Sequence, residues 1–207
     1  MLWVANIPMT AKVHLIRHGA HDELGRVLSG RSARSPLSPA GRTQAEWLAA
    51  RFAREEPIAA IHCSPRERAR ATAEIIGGRI GLRVQVVDAL DEVAFGAWTG
   101  RSFADLDHDP EWQVWNRERS AARAPEGETM AEATARAVGH IEGLARRGAG
   151  GTVLCVSHCD IIRGVVAQYI GLGLDRLLAF DVDPGSVSTL LIGNWGARLL
   201  TLNRGPE

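Results

Sequence analysis

The sequence predicts an α/β protein, a three-layer sandwich with a mostly parallel central sheet flanked by helices and carrying a small helical insertion. Two observations carry that expectation. Short apolar runs of strand length, at residues 13–16, 58–63 and 152–156, alternate with longer segments whose apolar residues recur at helical spacing. Near the end, residues 187–192 and 198–202 flank Gly193-Asn194-Trp195-Gly196, which reads as a hairpin.

The first run, V-H-L-I, breaks at Arg17 and His18, and Gly19 then lets the chain turn without a Cβ penalty. In open α/β sheets ligands bind beyond the carboxyl ends of the strands, so an Arg-His pair there is a candidate site. A polar surface turn is the plainer alternative. Residues 20–35 are rich in Gly, Arg and Ser without apolar period and predict a loop over the site, in which Arg26, Arg31 and Arg34 read as solvated. Ser38-Pro39 opens a helix in the N-cap and N1 pattern, with Ala45, Leu48, Ala49 and Phe52 on its apolar face.

After the strand at 58–63, Ser64 and Glu67 have the spacing of a capping box with Pro65 at the first helical position, and the helix is expected to stop at Gly77-Gly78. Arg68 would sit in its first turn, where the macrodipole favours an anion, although a capping arginine on a wet surface has the same signature. A strand at 84–87 leads to Glu92 and the turn Phe95-Gly96-Ala97-Trp98. Residues 99–124 mix tryptophans with acids and bases and are expected to form the helical insertion. Thr129 and Glu132 make a second capping box, opening a long helix with Met130, Ala133, Ala137, Ile141 and Leu144 on one face and an end near Gly148. The strand at 152–156 delivers Ser157 and His158, and a helix follows from Cys159 to about Ile170.

Composition narrows the function. A chain of 207 residues suits one domain, 1–207, and 24 Lys plus Arg against 24 Asp plus Glu gives no net charge to draw nucleic acid or an anionic membrane. No nucleic-acid partner and no membrane partner is expected. The cysteines, Cys63, Cys155 and Cys159, are odd in number and lie in or at the ends of apolar runs, which argues against a disulfide framework and suits a cytoplasmic setting. Residues 1–11 lack a signal-peptide pattern and read as a short extension. The sequence leaves oligomeric state open, a homodimer included.

Four motifs stand in order: R-H-G at Arg17-His18-Gly19, S-P-x-x-R-A-R-x-T-A from Ser64, E-x-x-F-G-x-W-x-G from Glu92, and V-S-H-x-x-x-I-R from Val156. Together they resemble the histidine phosphatase superfamily, which includes the cofactor-dependent phosphoglycerate mutases. The resemblance implies that His18 attacks phosphorus and becomes phosphohistidine, that Arg17, Arg68 and His158 hold the phosphoryl oxygens, and that Glu92 is the proton donor and later acceptor. It implies a small phosphorylated substrate, no metal and no cofactor. Phosphoryl transfer asks for such a set, an in-line nucleophile and fixed positive charge around the equatorial oxygens, and arginine's planar fork supplies the second.

The sequence also departs from the family. Ala20, His21 and Leu24 replace residues that many members use on phosphate, and His21, Ser29 or Arg31 are the nearby substitutes. Cys159 stands where glycine is usual, beside the anion site at a helix start, where its thiol is expected to be acidified and reactive. A zinc cluster through Cys155, His158 and Cys159 lacks a fourth ligand. His14 reads as a satisfied core histidine, His62 and His140 as structural or exposed, and Arg163 as either a structural ion pair or a site residue. The leading function is a phosphatase of a small metabolite. The alternatives are phosphoglycerate mutase-type transfer, or a catalytically weak phosphate-binding module.

Overall fold

The structure, a computed structural model, describes residues 10–55, 57–146 and 151–206. Six strands form one mixed sheet in the order β3-β2-β4-β1-β5-β6. They are β1 Thr10–Arg17, β2 Ile58–Cys63, β3 Val84–Val86, β4 Thr152–Ser157, β5 Val187–Gly193 and β6 Gly196–Arg204. The first four in chain order run parallel, and β5 joins β1 antiparallel and returns through the expected hairpin to β6.

Alternation along the central strands sorts the core into two layers. Val13 and Leu15 of β1 with Val153 and Cys155 of β4 pack on the side of α5 (Met130–Arg146) and α6 (Cys159–Ile170). Ile16, Leu154 and Val156 face α1 (Pro39–Phe52) and α2 (Glu67–Ile80). A strand buried on both faces needs apolar residues at every position, and all six residues of β4 are buried. Two short helices, α3 (Phe103–Leu106) and α4 (Pro110–Arg117), occupy the 99–124 region and pin Trp112 and Trp115 edge-on against Phe95 and Trp98.

Several local expectations are met. Ser38 caps α1 by accepting from Gly41 N, and Thr129 with Glu132 forms the reciprocal box before α5. Others are corrected. Ser64 and Glu67 do not form a capping box: Glu67 Oε2 instead accepts from Ser35 N at 2.8 Å, and α2 starts at Glu67, with Arg66 as a cap that lends no side-chain bond. That helix runs through Gly77 and Gly78 to Ile80 and ends at Gly81, whose φ of 74° suits glycine. Thr10 and Ala11 belong to β1 rather than to an extension; residues 1–9, and the expected helix end near Gly148, lie outside the described residues. No helix among the described residues is long and apolar enough to cross a membrane.

Candidate active site

The parallel strands β1 and β4 end side by side, with Arg17 paired to Ser157 in register, so that His18 and His158 emerge together. Their rings are 5.1 Å apart, edge to face. Between them comes Arg68, from the first turn of α2 and only 2% exposed. The sheet therefore joins three residues that are far apart in the chain.

The hydrogen bonds fix the protonation of His18 without ambiguity. Nδ1 lies 2.8 Å from the carbonyl of Gly19, which can only accept, so Nδ1 carries the proton. Arg68 Nε, which can only donate, lies 3.0 Å from Nε2, so that nitrogen presents its lone pair. Burial, then the positive charges of Arg68 and Arg17, push the His18 pKa well below its ordinary value and keep the ring neutral. A neutral imidazole whose Nε2 carries the lone pair is a nucleophile once the Arg68 donor turns from it to a bound anion.

His158 is set the opposite way. Arg68 Nη2 donates to its Nδ1 at 3.1 Å, which leaves Nε2–H to donate to Ser64 Oγ at 2.7 Å; Ser64 in turn donates to Asp91 Oδ1 at 3.2 Å. Ser64 Oγ also accepts from Arg66 N at 3.2 Å, so it still serves the start of α2, but without the reciprocal partner Glu67. His158 is fully buried and does not line the cavity, so it bears on the site through Arg68 rather than facing it. Arg68 also donates to Gly30 O at 2.8 Å, while its buried Nη1 and the buried Nε of Arg17 have no protein partner. Buried guanidinium N–H groups without partners are what a phosphate dianion satisfies.

Glu92 lies across from the imidazoles, with Oε2 3.8 Å from His158 Nδ1 and Oε1 accepting from Val93 N at 3.0 Å. Burial, reinforced by the nearby charge of Asp160 and opposed by Arg68, raises its pKa to about 7. Asp160 moves the other way: burial disfavours its charge, but Arg119 and Arg163 overcome that and hold it below the usual carboxylate range. Two acids in one cavity are thus driven apart in protonation.

The peptide chain around Glu92 is itself clamped. Arg136 of α5 donates to the carbonyls of Ala89, Asp91 and Glu92 at 2.9, 2.7 and 2.9 Å and makes a two-pronged contact with Glu128, whose Oε2 also accepts from Ala94 N. Arg31 completes this clamp, with Nε donating to Glu92 O at 2.8 Å and Nη2 to Glu128 at 2.9 Å. Arg31, expected as a substitute phosphate ligand, is not among the residues lining the cavity; Glu92 O, Asp91 and Glu128 engage its Nε and Nη2.

The other loop residues do face the cavity, which has a volume of about 440 Å³. His21 is buried beside His18, ring centroids 5.6 Å apart, with burial and Arg68 pulling its pKa down to about 4. Ser29 lines the wall but spends its hydroxyl on Glu23 at 2.7 Å. Cys159 also lines it, and its expected acidification is reversed. Burial and the adjacent Asp160 raise the thiol to about 11, outweighing Arg17 and Arg163, and Sγ–H points to Val182 O at 3.6 Å. Sequence reasoning did not single out Asn116, Arg119 and Asp160, which meet at the outer end of the cavity. The spacing of Asn116 and Arg119 behind Trp112 and Trp115 was the available signal, but it needs the turn after α4 to be known. His14 is a satisfied core residue, bonded through Nδ1 to Thr189 Oγ1 at 2.9 Å, and His62 lies 2.9 Å from His140.

Comparisons with known proteins give the family. The family model of the histidine phosphatase superfamily (branch 1) matches residues 13–205. The chain is 30% identical over 195 residues to adenosylcobalamin/alpha-ribazole phosphatase of Escherichia coli strain K12, covering 93% of this chain and 95% of that one. It is 28% identical over 195 residues to phosphoserine phosphatase 1 of Hydrogenobacter thermophilus, covering 93% and 92%. The solved structure of mycobacterial glucosyl-3-phosphoglycerate phosphatase superposes with a TM-score of 0.83 at 26% identity, over 95% of this chain and 100% of that one. The chain belongs to the histidine phosphatase superfamily. Within it, the chain is a phosphatase, a phosphoric monoester hydrolase similar to enzymes named for small phosphorylated metabolites.

Proposed function

We propose that this chain hydrolyses phosphate monoesters of small metabolites through a phosphohistidine on His18. The observation that carries the reading is the lone pair of His18 Nε2, directed at Arg68 by the Nδ1–H bond to Gly19 O. When a monoester binds, Arg17 and Arg68 turn their donors to its equatorial oxygens, with His158 holding Arg68 from behind. His18 Nε2 attacks phosphorus as the bond to the ester oxygen breaks, and Glu92 gives that oxygen its proton, so an alcohol leaves. Glu92, now a carboxylate, takes a proton from water as the water oxygen attacks phosphorus. The P–N bond breaks, its electron pair returns to Nε2, and phosphate leaves with Glu92 protonated again.

Electrostatics support these roles. A nucleophile kept neutral and a donor whose pKa is about 7 are both in the required state near neutral pH. The named phosphatases to which the chain is similar act, by their names, on small phosphorylated metabolites, which supports the same substrate class. The test is an acid-labile, base-stable phosphoryl adduct trapped by rapid quench with labelled substrate and mapped to His18. Normal turnover by His18→Ala would overturn the mechanism.

A further inference from the structure

Among the described residues, four guanidinium groups line the cavity, and the proposed phosphoryl site uses two of them, Arg17 and Arg68. The others, Arg119 and Arg163, stand with Asn116 and Asp160 at its outer end. Asp160 lies between them, with Oδ2 3.0 Å from Arg119 Nη1 and Oδ1 3.6 Å from Arg163 Nη1. One acid cannot neutralise two arginines, so this end of the cavity carries positive charge in excess. Leu24, Val27, Phe103 and Trp112, which also line the cavity, bring no charge to offset it.

The excess is best placed for a ligand on Arg163. Arg119 is 5% exposed and committed: Nη1 donates to Asp160 and Nη2 to Asn116 Oδ1 at 2.7 Å, while its Nε is sealed from solvent without a partner. Arg163 is anchored through Nε, which donates to Phe180 O at 3.2 Å, but among the described residues neither of its terminal nitrogens makes a hydrogen bond. Its other acid, Asp181, is 3.6 Å away, 83% exposed and outside the lining, where water screens the pair. A guanidinium with only 14% of its side chain exposed and both terminal nitrogens unbonded is a ready partner for an anion in the cavity.

Charge also sets the kind of anion. With Glu92 protonated to act as donor, a phosphate dianion on Arg17 and Arg68 leaves one positive charge in the lining unmatched. A carboxylate supplies that single negative charge, and its two oxygens fit the planar fork of a guanidinium. A second phosphate dianion would exceed it beside Asp160, and an ammonium would add to the excess. We infer that the phosphate monoester taken by this chain bears a carboxylate on its alcohol half, bound by Arg163 beside Arg119 while the phosphoryl group lies on Arg17 and Arg68. This rests on the phosphatase reading for which end of the cavity holds the phosphoryl group.

Titration calorimetry on the His18→Ala protein near neutral pH measures binding of the phosphate esters of glycolate, ω-hydroxypropionate and ω-hydroxybutyrate, each against its carboxamide. Reach varies along the series, and charge varies within each pair. At the length that spans the two ends, the carboxylate is expected to bind about 10- to 100-fold tighter than its amide, the range for hydrogen bonds to a charged partner. Arg163→Met should bring that ratio close to one, and Arg163→Lys should keep only part of it, because an ammonium lacks the fork. Asp160→Asn should raise the ratio by removing the competing acid, a gain that misfolding cannot produce. A ratio near one at every length, a preference that survives Arg163→Met, or no gain from Asp160→Asn overturns the inference. Phosphate release by the unaltered chain is read separately. Carboxylate-selective binding without release sinks the catalytic reading and leaves this one standing; release with no preference between acid and amide does the reverse.

Discussion

Glu92 and Asp160 are both carboxylic acids in one buried cavity, and what distinguishes them is their immediate company. Asp160 has two arginines; Glu92 has burial and the negative charge of Asp160, and stands at about 7. Because the donor form is the protonated one, phosphorylation of His18 by an alkyl ester should fall as pH rises through about 7. An aryl ester with an acidic phenol needs little proton donation and should show a much weaker limb. Glu92→Gln should cost the alkyl ester about 10²- to 10⁴-fold in that step. Single-turnover kinetics isolates it, and an equal loss for both esters would move the proton to another group. Cys159 gives a second expectation at this scale. With its thiol raised to about 11, it should resist alkylation near neutral pH, and rapid, phosphate-protected modification would show the thiolate to be populated after all.

Among the elements, α5 supports the Glu92 segment without lining the cavity. Its Arg136, braced by Glu128, holds the carbonyls of Ala89, Asp91 and Glu92, so in the proposed mechanism it is a positioning residue for the proton donor. Arg136→Met should slow phosphorylation by alkyl esters about 10- to 100-fold, the scale expected when a positioned group loses its geometry, and should affect acidic aryl esters less. Arg136→Lys should rescue only in part, because an ammonium cannot reproduce the planar fork. A uniform loss across both esters, with no change in pH midpoint, would mean that the clamp merely supports the fold. A comparable close fit joins α1 to the nucleophile's turn. A Cβ on Gly41 would overlap the carbonyl of Ala20, and one on Gly19 would overlap Gly41, so that the helix start and the turn after His18 touch backbone to backbone.

For the whole molecule, zero net charge conceals a concentration of positive charge at one end of the sheet. Arg17 and Arg68 are gathered there with buried donors that lack protein partners, a cost the fold carries until an anion binds. Orthophosphate should therefore stabilise the folded chain. At a concentration about 100 times its Kd the gain is about 2.7 kcal/mol, a rise in Tm of roughly 5–10 °C for a chain of this size. Differential scanning fluorimetry measures it. Arg68→Gln should abolish most of the shift, and a shift that survives that change would place the anion elsewhere.

By itself the sequence determined whatever depends on neighbours along the chain. Apolar runs set β1, β2 and β4; the Ser38 cap, the Thr129 and Glu132 box and the helical faces set α1 and α5; and the breaks at Arg17-His18 and Ser157-His158 placed both histidines at strand ends. Only the tertiary structure decided what distant groups do to one another. Ser64 and Glu67 have the spacing of a capping box, but Glu67 is drawn to Ser35 N, and the Ser64 hydroxyl, while still accepting from Arg66 N, also joins His158 to Asp91. Arg31 sits in a loop over the site, yet Glu92 O and Glu128 draw it into the clamp. Cys159 starts a helix near arginines, but burial beside Asp160 outweighs both influences. Local spacing records which bonds a residue can make. Which of them it does make depends on competition among partners and on how far each is removed from water, and these are set by packing across the sheet.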